Sequence, residues 1–259
     1  MKIIDHLELS ASFHRQDLVC TEMGAPFTAR LCRVLAGNLD GHSQFGRRVL
    51  DWPLKTLLAD LLALRCCAAL NTLVRQGKAA QLAEFYPPHT NTDDAALWQA
   101  IDATIAAHDA AMTAFLESPP QTNEVTRSAI LLGGFLEISA LTRMPLELYE
   151  LGASAGLNLS FDRYAYDLGH GSSWGVADSE VRLACAWSGD APALDTPISI
   201  LSRRAVDLRP VAASSQEDRE RMLAYIWPEQ TDPSAASMRP SISSPGAAQR
   251  WTRAMRLNG

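Results

Sequence analysis

Residues 144–158, with the sequence MPLELYELGASAGLN, carry the pattern on which the expected fold of this chain depends. Residues 144–151 are mostly apolar and predict a short buried strand, and residues 152–156 are small enough to form a tight turn. The apolar pattern resumes at Leu157, where it predicts the start of a helix. In nucleotide-binding proteins, a strand, a turn of small residues and a helix in this order let the backbone approach the nucleotide. We therefore expect the free N–H groups of the helix start to face such a ligand.

The glycine spacing of the turn differs from that of dinucleotide-binding sites. Gly152 and Gly156 follow the pattern GxxxG rather than GxGxxG, and Ser154 stands where a middle glycine could sit. Small residues at such a turn also let a helix pack closely against a strand. The spacing alone therefore fits a ligand cradle and a purely structural turn about equally well.

The upstream sequence predicts a helical region over residues 1–143. Asp51-Trp52-Pro53 has the composition of a helix start, because Asp can cap and Pro is tolerated in the first turn. Gly77 supplies the matching stop, and the acidic residues 93–94 favour another helix start. The apolar residues that follow recur every three or four positions, which predicts one buried face.

A polar block, residues 121–128, precedes an apolar helix predicted over residues 129–141. Thr122 or Asn123 is suited to cap that helix. The same polar cluster could instead contact a ligand at the start of the helix. Both interpretations stay open at this point.

Downstream of the turn, alternating residues 181–187 and the apolar run that ends at Asp207 predict two further strands. Residues 217–227 predict an amphipathic helix. Asp162, Arg163, Tyr164 and Tyr166 follow the predicted helix start. They form either a polar patch near the turn or exposed charge beside an aromatic hairpin.

Composition and charge narrow the class of protein. The chain has 259 residues, of which 47% are hydrophobic and 20% charged, and its formal net charge is −6, as in an ordinary globular protein. The net negative charge gives no nucleic-acid footprint, which needs a clustered basic face. No apolar run reaches the ~18 residues of a membrane span, and we expect no membrane association. The composition specifies no oligomeric state.

The cysteines indicate a reducing compartment. Their number, five, is odd, and Cys20, Cys32, Cys66, Cys67 and Cys185 form no CxxC pair. We therefore expect neither a disulfide framework nor a zinc site. We expect buried free thiols in a cytoplasmic protein. The start of the chain places Asp5, His6 and Glu8 where a signal peptide needs apolar residues.

The turn resembles the first motif of S-adenosylmethionine-dependent methyltransferases, an acidic residue followed by alternating small residues, here Glu150-x-Gly152-x-Ser154-x-Gly156. In those enzymes the turn lies against the amino-acid part of the cofactor. The resemblance implies S-adenosylmethionine as cofactor. The cofactor-binding residues that it implies are Glu150, Gly152, Ser154, Gly156, Asn158 and Asp207.

Asp207 corresponds to the acid that, in methyltransferases, ends the second strand and binds the ribose hydroxyls. A carboxylate suits this task because it accepts two hydrogen bonds at once. The usual separation between glycine turn and acid is about twenty residues. Here Asp207 lies 51 positions after Gly156, so an insertion is required, which residues 163–195 could supply. A plain turn residue at the end of the strand is the alternative.

Three blocks, in order, resemble a bacterial family of uncharacterised proteins, domain of unknown function 2332: QTNEVTRSAILLGGF, LYELGASAGLNLSFDRYAYDLG and RRAVDLRP…RERMLAYIWPEQ. The resemblance covers residues 10–230. It implies an α/β protein in which an N-terminal helical region, 1–143, is followed by a partial Rossmann-like sheet of methyltransferase type, 144–230.

Residues 231–259 have a different character. They contain five serines, five alanines, three prolines and four arginines, but no lysine and a single acid, Asp232. A disordered basic tail is one interpretation. The other is a frameshift: from Ala236 onward, codons exist whose neighbouring frame reads IDAAIDIVARRRPTVDAGDAAEWL. A full methyltransferase sheet also needs strands that residues 208–230 do not supply, so we expect a truncated family member.

Three functions remain at this stage. The first is S-adenosylmethionine-dependent methyl transfer to an unidentified acceptor. The motifs HExxH, GxSxG and the P-loop are absent, but methyl transfer often needs little beyond positioning. The second is a non-catalytic protein that binds a small ligand or a partner. The third is a nicotinamide-nucleotide enzyme, which the glycine spacing favours least.

Overall fold

The computed structural model describes residues 3–185, 187–190 and 192–231, and it divides the chain into two compact units. Within the described residues, the first unit contains 3–121 and 220–231, and the second contains 122–219. The expectations for residues 232–259, including the frameshift, lie outside the described part of the chain.

The first unit is helical, as predicted for the N-terminal region. Its core is formed by apolar faces of several helices and includes Phe13, Leu35, Phe45, Leu70 and Ile101. The chain returns to this unit through α8. Its helices are α1 (Ile3–Glu22), α2 (Pro26–Asn38), α3 (Gln44–Leu50), α4 (Leu62–Arg75), α5 (Ala80–Ala83), α6 (Asp94–Leu116) and the end of α8 (Gln216–Ala224), with short 3-10 helices at Leu54–Thr56 and Pro228–Thr231.

One of the two predicted helix starts is confirmed. Asp93 caps α6, and its Oδ1 accepts the N–H groups of Ala95 and Ala96. At residues 51–53 the predicted helix start is present only as the 3-10 helix Leu54–Thr56, which is followed by turns. The indole of Trp52 donates to Asp60 Oδ2 at 2.9 Å across this segment. The α-helix begins only at Leu62.

The second unit combines helix α7 (Arg127–Thr142) with two small sheets. In the described part of the chain, β1 (Leu146–Leu151) pairs in parallel with β5 (Ile200–Val206). The connection between them carries the 3-10 helix Leu157–Arg163 and a second sheet in the order β3-β2-β4. The strands of this sheet are β2 (Ala165–Gly169), β3 (Ser172–Gly175) and β4 (Arg182–Ala184).

The strands predicted at residues 144–151, 181–187 and up to Asp207 are confirmed as β1, β4 and β5. The helix predicted after the turn is present as a 3-10 helix rather than an α-helix. The α/β character is thus confirmed. A Rossmann-like sheet stays a prediction, because the described parallel sheet has two strands.

The first break between units falls between residues 121 and 122, whereas the sequence-predicted domain border is 143/144. The reason is that α7 packs against the 3-10 helix Leu157–Arg163 and so belongs with the sheets. No helix in the described ranges has the length and apolar character that a membrane crossing requires.

Candidate functional site: the turn after strand β1

The turn that follows β1 has an unusual backbone. Gly152, Ser154 and Gly156 all have positive φ angles, +67°, +54° and +67°. Glycine adopts this region freely, but a residue with a Cβ pays about 1–2 kcal/mol. Strained residues of this kind concentrate at functional sites. A Cβ built on Gly152 would meet nothing within 4 Å, so the space above this glycine is open.

The end of β5 holds the turn in place. The carbonyl oxygen of Val206 accepts the N–H groups of Gly152, at 2.8 Å, and Ala153, at 3.3 Å. The Asp207 carboxylate accepts the N–H of Ser154 through Oδ2, at 2.8 Å, and that of Arg209 through Oδ1, at 2.7 Å. These backbone hydrogen bonds, first that of Arg209, lower the pKa of Asp207 below its ordinary value.

The parallel pairing of β1 and β5 explains how Asp207 reaches the turn across an insertion. Parallel strands bring their carboxyl ends to the same edge of a sheet. Leu151 at the end of β1 is paired with Val206, immediately before Asp207. The sheet of β2, β3 and β4 lies within residues 163–195, the segment to which the sequence analysis assigned the insertion.

The expectation of free N–H groups at the helix start is wrong at two positions. The N–H of Ser154 is occupied by Asp207, and that of Leu157 donates to Asn123 Oδ1 at 2.9 Å. The side chain of Asn123 is thus used at the turn, and the prediction that it caps α7 is wrong. The residue at the cap of α7, Thr126, makes no side-chain cap hydrogen bond.

A buried polar chain lies behind the turn. Ser128 Oγ donates to Asn158 Oδ1 at 2.8 Å, and Asn158 Nδ2 donates to Glu150 Oε1 at 3.4 Å. Burial raises the pKa of Glu150 above its ordinary value of 4.5, against a smaller opposing effect of Asn158. These bonds fix the Glu150 carboxylate at the end of β1.

Two oxygens at this site lack a hydrogen-bond partner among the residues that the structure describes. They are Glu150 Oε2 and Ser154 Oγ, and both are shielded from solvent. Ser154 as a whole is only 7% exposed. A buried polar atom without a partner costs about 1–3 kcal/mol and calls for a specific explanation, such as a ligand.

All six sequence-predicted site residues lie on this turn or on the segments that contact it: Glu150, Gly152, Ser154, Gly156, Asn158 and Asp207. Sequence reasoning missed the parts played by Asn123 and Ser128. Their signal was the polar block 121–128, for which a ligand-contacting role was one interpretation. In the described ranges, no group of three or more His, Cys, Asp or Glu side chains is placed to bind a metal ion.

The site is rich in acceptors. Its two carboxylates, Glu150 and Asp207, carry negative charge, and the N–H groups of Ser154 and Leu157 are already used. Such a site repels phosphate, which needs free donors or cations. It suits a ligand that brings N–H and O–H donors or positive charge.

Comparison with known proteins gives one family. Residues 10–237 match the family described as "Uncharacterized protein conserved in bacteria (DUF2332)". No curated protein and no solved structure gives a significant match. The matched residues cover most of the chain, including both units and the whole turn.

Proposed function

Since the chain belongs to the DUF2332 family, whose description names no activity, we propose a function from the turn itself. The protein binds S-adenosylmethionine at the turn after β1 and transfers its methyl group to an acceptor. In this proposal β1 and β5 are neighbouring strands of a methyltransferase-like sheet, and Asp207 ends the second of them.

One observation carries the proposal: the turn offers carboxylate and hydroxyl oxygens that lack partners, rather than free N–H groups. Glu150 Oε2 and Ser154 Oγ are the two atoms concerned. S-adenosylmethionine is cationic at its sulfur and its ammonium group, carries ribose hydroxyls and has no phosphate. Its charge and donors therefore complement the turn, whereas the pyrophosphate of a nicotinamide dinucleotide does not.

In this proposal each residue of the turn binds a different part of S-adenosylmethionine or leaves space for it. Glu150 would hold a donor of the cofactor through Oε2 while Asn158 keeps Oε1 in position. Asp207 would bind ribose hydroxyls, because each of its oxygens retains a lone pair beyond the backbone N–H that it already accepts. Gly152 leaves the space above the backbone open. When bound, S-adenosylmethionine supplies the electrophilic methyl group.

Isothermal titration of the full chain tests this proposal, with S-adenosylmethionine, S-adenosylhomocysteine and NAD as ligands. We expect the first two to bind and NAD not to bind. Gly152→Asp should abolish binding, because its side chain would enter the open space and add charge. Thr122→Ala, an exposed change in the same unit, is the control. Wild-type protein that binds none of the three, or NAD alone, would contradict the proposal.

A non-catalytic ligand-binding protein is the second candidate. It is favoured by Ser154, whose backbone is in the left-handed region, and by the two backbone N–H groups whose hydrogen bonds Asp207 already accepts. Both features are those of a turn held rigid rather than adapted to reaction. Binding of S-adenosylhomocysteine as tight as that of S-adenosylmethionine, with no methyl transfer to any acceptor in a cell extract, would support this candidate.

A further inference from the structure

A second concave surface in the second unit shares no residue with the turn. It is a cleft of about 660 Å³, within the range of small-molecule sites. Residues of the strands β2, β3 and β4 and residues 194 and 196–198 contribute to its lining. Most of its lining residues are apolar or aromatic, and the two charged residues among them are Asp162 and Arg182.

Asp162 gives the cleft an acceptor. Its Oδ2 is paired with Arg203 Nη2 at 2.5 Å, while its Oδ1 is buried without a hydrogen-bond partner in the structure. The side chain as a whole is 26% exposed and lines the cleft, and a buried oxygen without a partner there calls for a donor such as a ligand. A carboxylate oxygen can only accept, and the donor that matches it best is an ammonium group.

Two aromatic rings line the cleft next to this carboxylate. Trp174 and Tyr166 are paired in register on β3 and β2, with ring centroids 5.8 Å apart. The Tyr166 hydroxyl is already used, since it donates to Phe161 O at 2.7 Å. Tyr166 is only 2% exposed and packs against the Trp174 ring, and the half-buried Trp174 offers the cleft an apolar surface that favours an apolar group.

Arg182 brings the opposite charge. It lies on β4, in register with Ala165 of β2, and it is exposed. Its Nη2 donates to Ala177 O, which fixes the guanidinium at the rim of the cleft. A guanidinium binds a carboxylate through paired donors. Asp162 forms its ion pair with Arg203 and not with Arg182.

We propose that this cleft binds a small zwitterion, an amino acid with an apolar or aromatic side chain. Asp162 receives the ammonium group, Arg182 the carboxylate, and Trp174 the side chain. The assignment goes beyond the function proposed for the turn and does not depend on it, because the two sites have no residue in common.

Ligand-observed NMR with three related probes tests the assignment. L-phenylalanine has both charged groups, phenethylamine lacks the carboxylate and phenylpropionate lacks the ammonium. We expect L-phenylalanine to bind most tightly and each analogue to bind about fivefold to tenfold more weakly, as expected for the loss of one charge-assisted hydrogen bond. Equal binding of the three probes, or no binding of any, would overturn the proposal.

Variants assign each charge to its residue. Arg182→Gln should remove the preference for L-phenylalanine over phenethylamine. Asp162→Asn should remove the preference for L-phenylalanine over phenylpropionate. Because Asp162→Asn also breaks the ion pair with Arg203, its fold is checked by thermal unfolding, and Arg182→Gln serves as the independent variant. Glu150→Gln should leave L-phenylalanine binding unchanged, and a loss there would mean that the probe binds at the turn instead.

Discussion

Glu150 has contrasting surroundings at its two carboxylate oxygens. Oε1 accepts from Asn158 in a buried chain, and Oε2 has no partner in the structure. The free protein thus bears the cost of a partly buried charge that is only half satisfied. If a ligand supplies the second partner, the same charge becomes favourable.

The variant Glu150→Gln separates these effects. We expect it to raise the free energy of unfolding of the free protein by about 0.5–1 kcal/mol, the lower end of the cost of burying an unpaired polar group, because the side chain is partly exposed. We expect it to weaken S-adenosylmethionine binding about tenfold, through loss of a charge-assisted hydrogen bond. Chemical denaturation and calorimetry measure the two quantities. A variant that lowers both stability and affinity would indicate a structural role.

The pH dependence of stability provides a second check on Glu150. Its pKa is raised in the folded state, so its favourable contribution is complete below the unfolded-state value, near 4.5, and is lost as pH rises through the folded-state pKa. The free energy of unfolding of wild type relative to Glu150→Gln should therefore fall as pH rises from 4 toward neutrality. Asp207, with its lowered pKa, acts in the opposite direction and at lower pH, below about 3.8. A wild-type-to-variant difference that stays constant with pH would contradict the burial of this charge.

At the scale of elements, the strands could be predicted and their partners only in part. β1 is a short apolar run before small residues, and β5 is an apolar run followed by Asp207, so the sequence predicts both segments that form the site. The role of Asn123 could not be predicted, because its hydrogen bond with Leu157 N joins residues 34 positions apart. An Asn before a helix is equally typical of a helix cap. The α-helix predicted to start at residues 51–53 begins only at Leu62, and the hydrogen bond from Trp52 to Asp60 is another contact that the local pattern does not predict.

The alternation along β1 makes a prediction of its own. Leu148 is 5% exposed on the inner face of the sheet, and Leu151 is 84% exposed. We expect Leu148→Ser to lower the free energy of unfolding by about 3 kcal/mol, through lost burial and a new buried hydroxyl. Leu151→Ser, its matched control on the same strand, should change it by less than about 0.5 kcal/mol. Equal losses in urea denaturation would mean that both faces of β1 are covered.

At the scale of the whole molecule, the chain returns to its first unit after completing the second. Residues 220–231 pack there: Asn71 Nδ2 donates to the carbonyl oxygens of Ala224 and Ile226. Glu229 accepts the N–H of Thr28 at 2.7 Å and its hydroxyl at 2.9 Å, at the start of α2. A contact between residues 201 positions apart cannot be read from local sequence patterns.

Glu229 therefore stabilises the first unit and has no part in the turn. We expect Glu229→Ala to lower the free energy of unfolding by about 2 kcal/mol, because it leaves the buried N–H of Thr28 without an acceptor. Glu84→Ala, an exposed glutamate in the same unit, should change it by less than about 0.5 kcal/mol. Where Glu229→Ala remains folded, its affinity for S-adenosylmethionine should equal that of wild type. A stability equal to that of Glu84→Ala would refute the role given to Glu229.

A crystal structure of the full chain with S-adenosylhomocysteine tests the central claim most directly. We expect the ligand to lie over Gly152, with donors within about 2.5–3.2 Å of Glu150 Oε2 and with its ribose hydroxyls at Asp207. The hydrogen bond from Asn158 to Glu150 should be retained. Ligand density at another place, or an unoccupied turn at a ligand concentration that saturates the protein in solution, would contradict the assignment of this turn as the cofactor site.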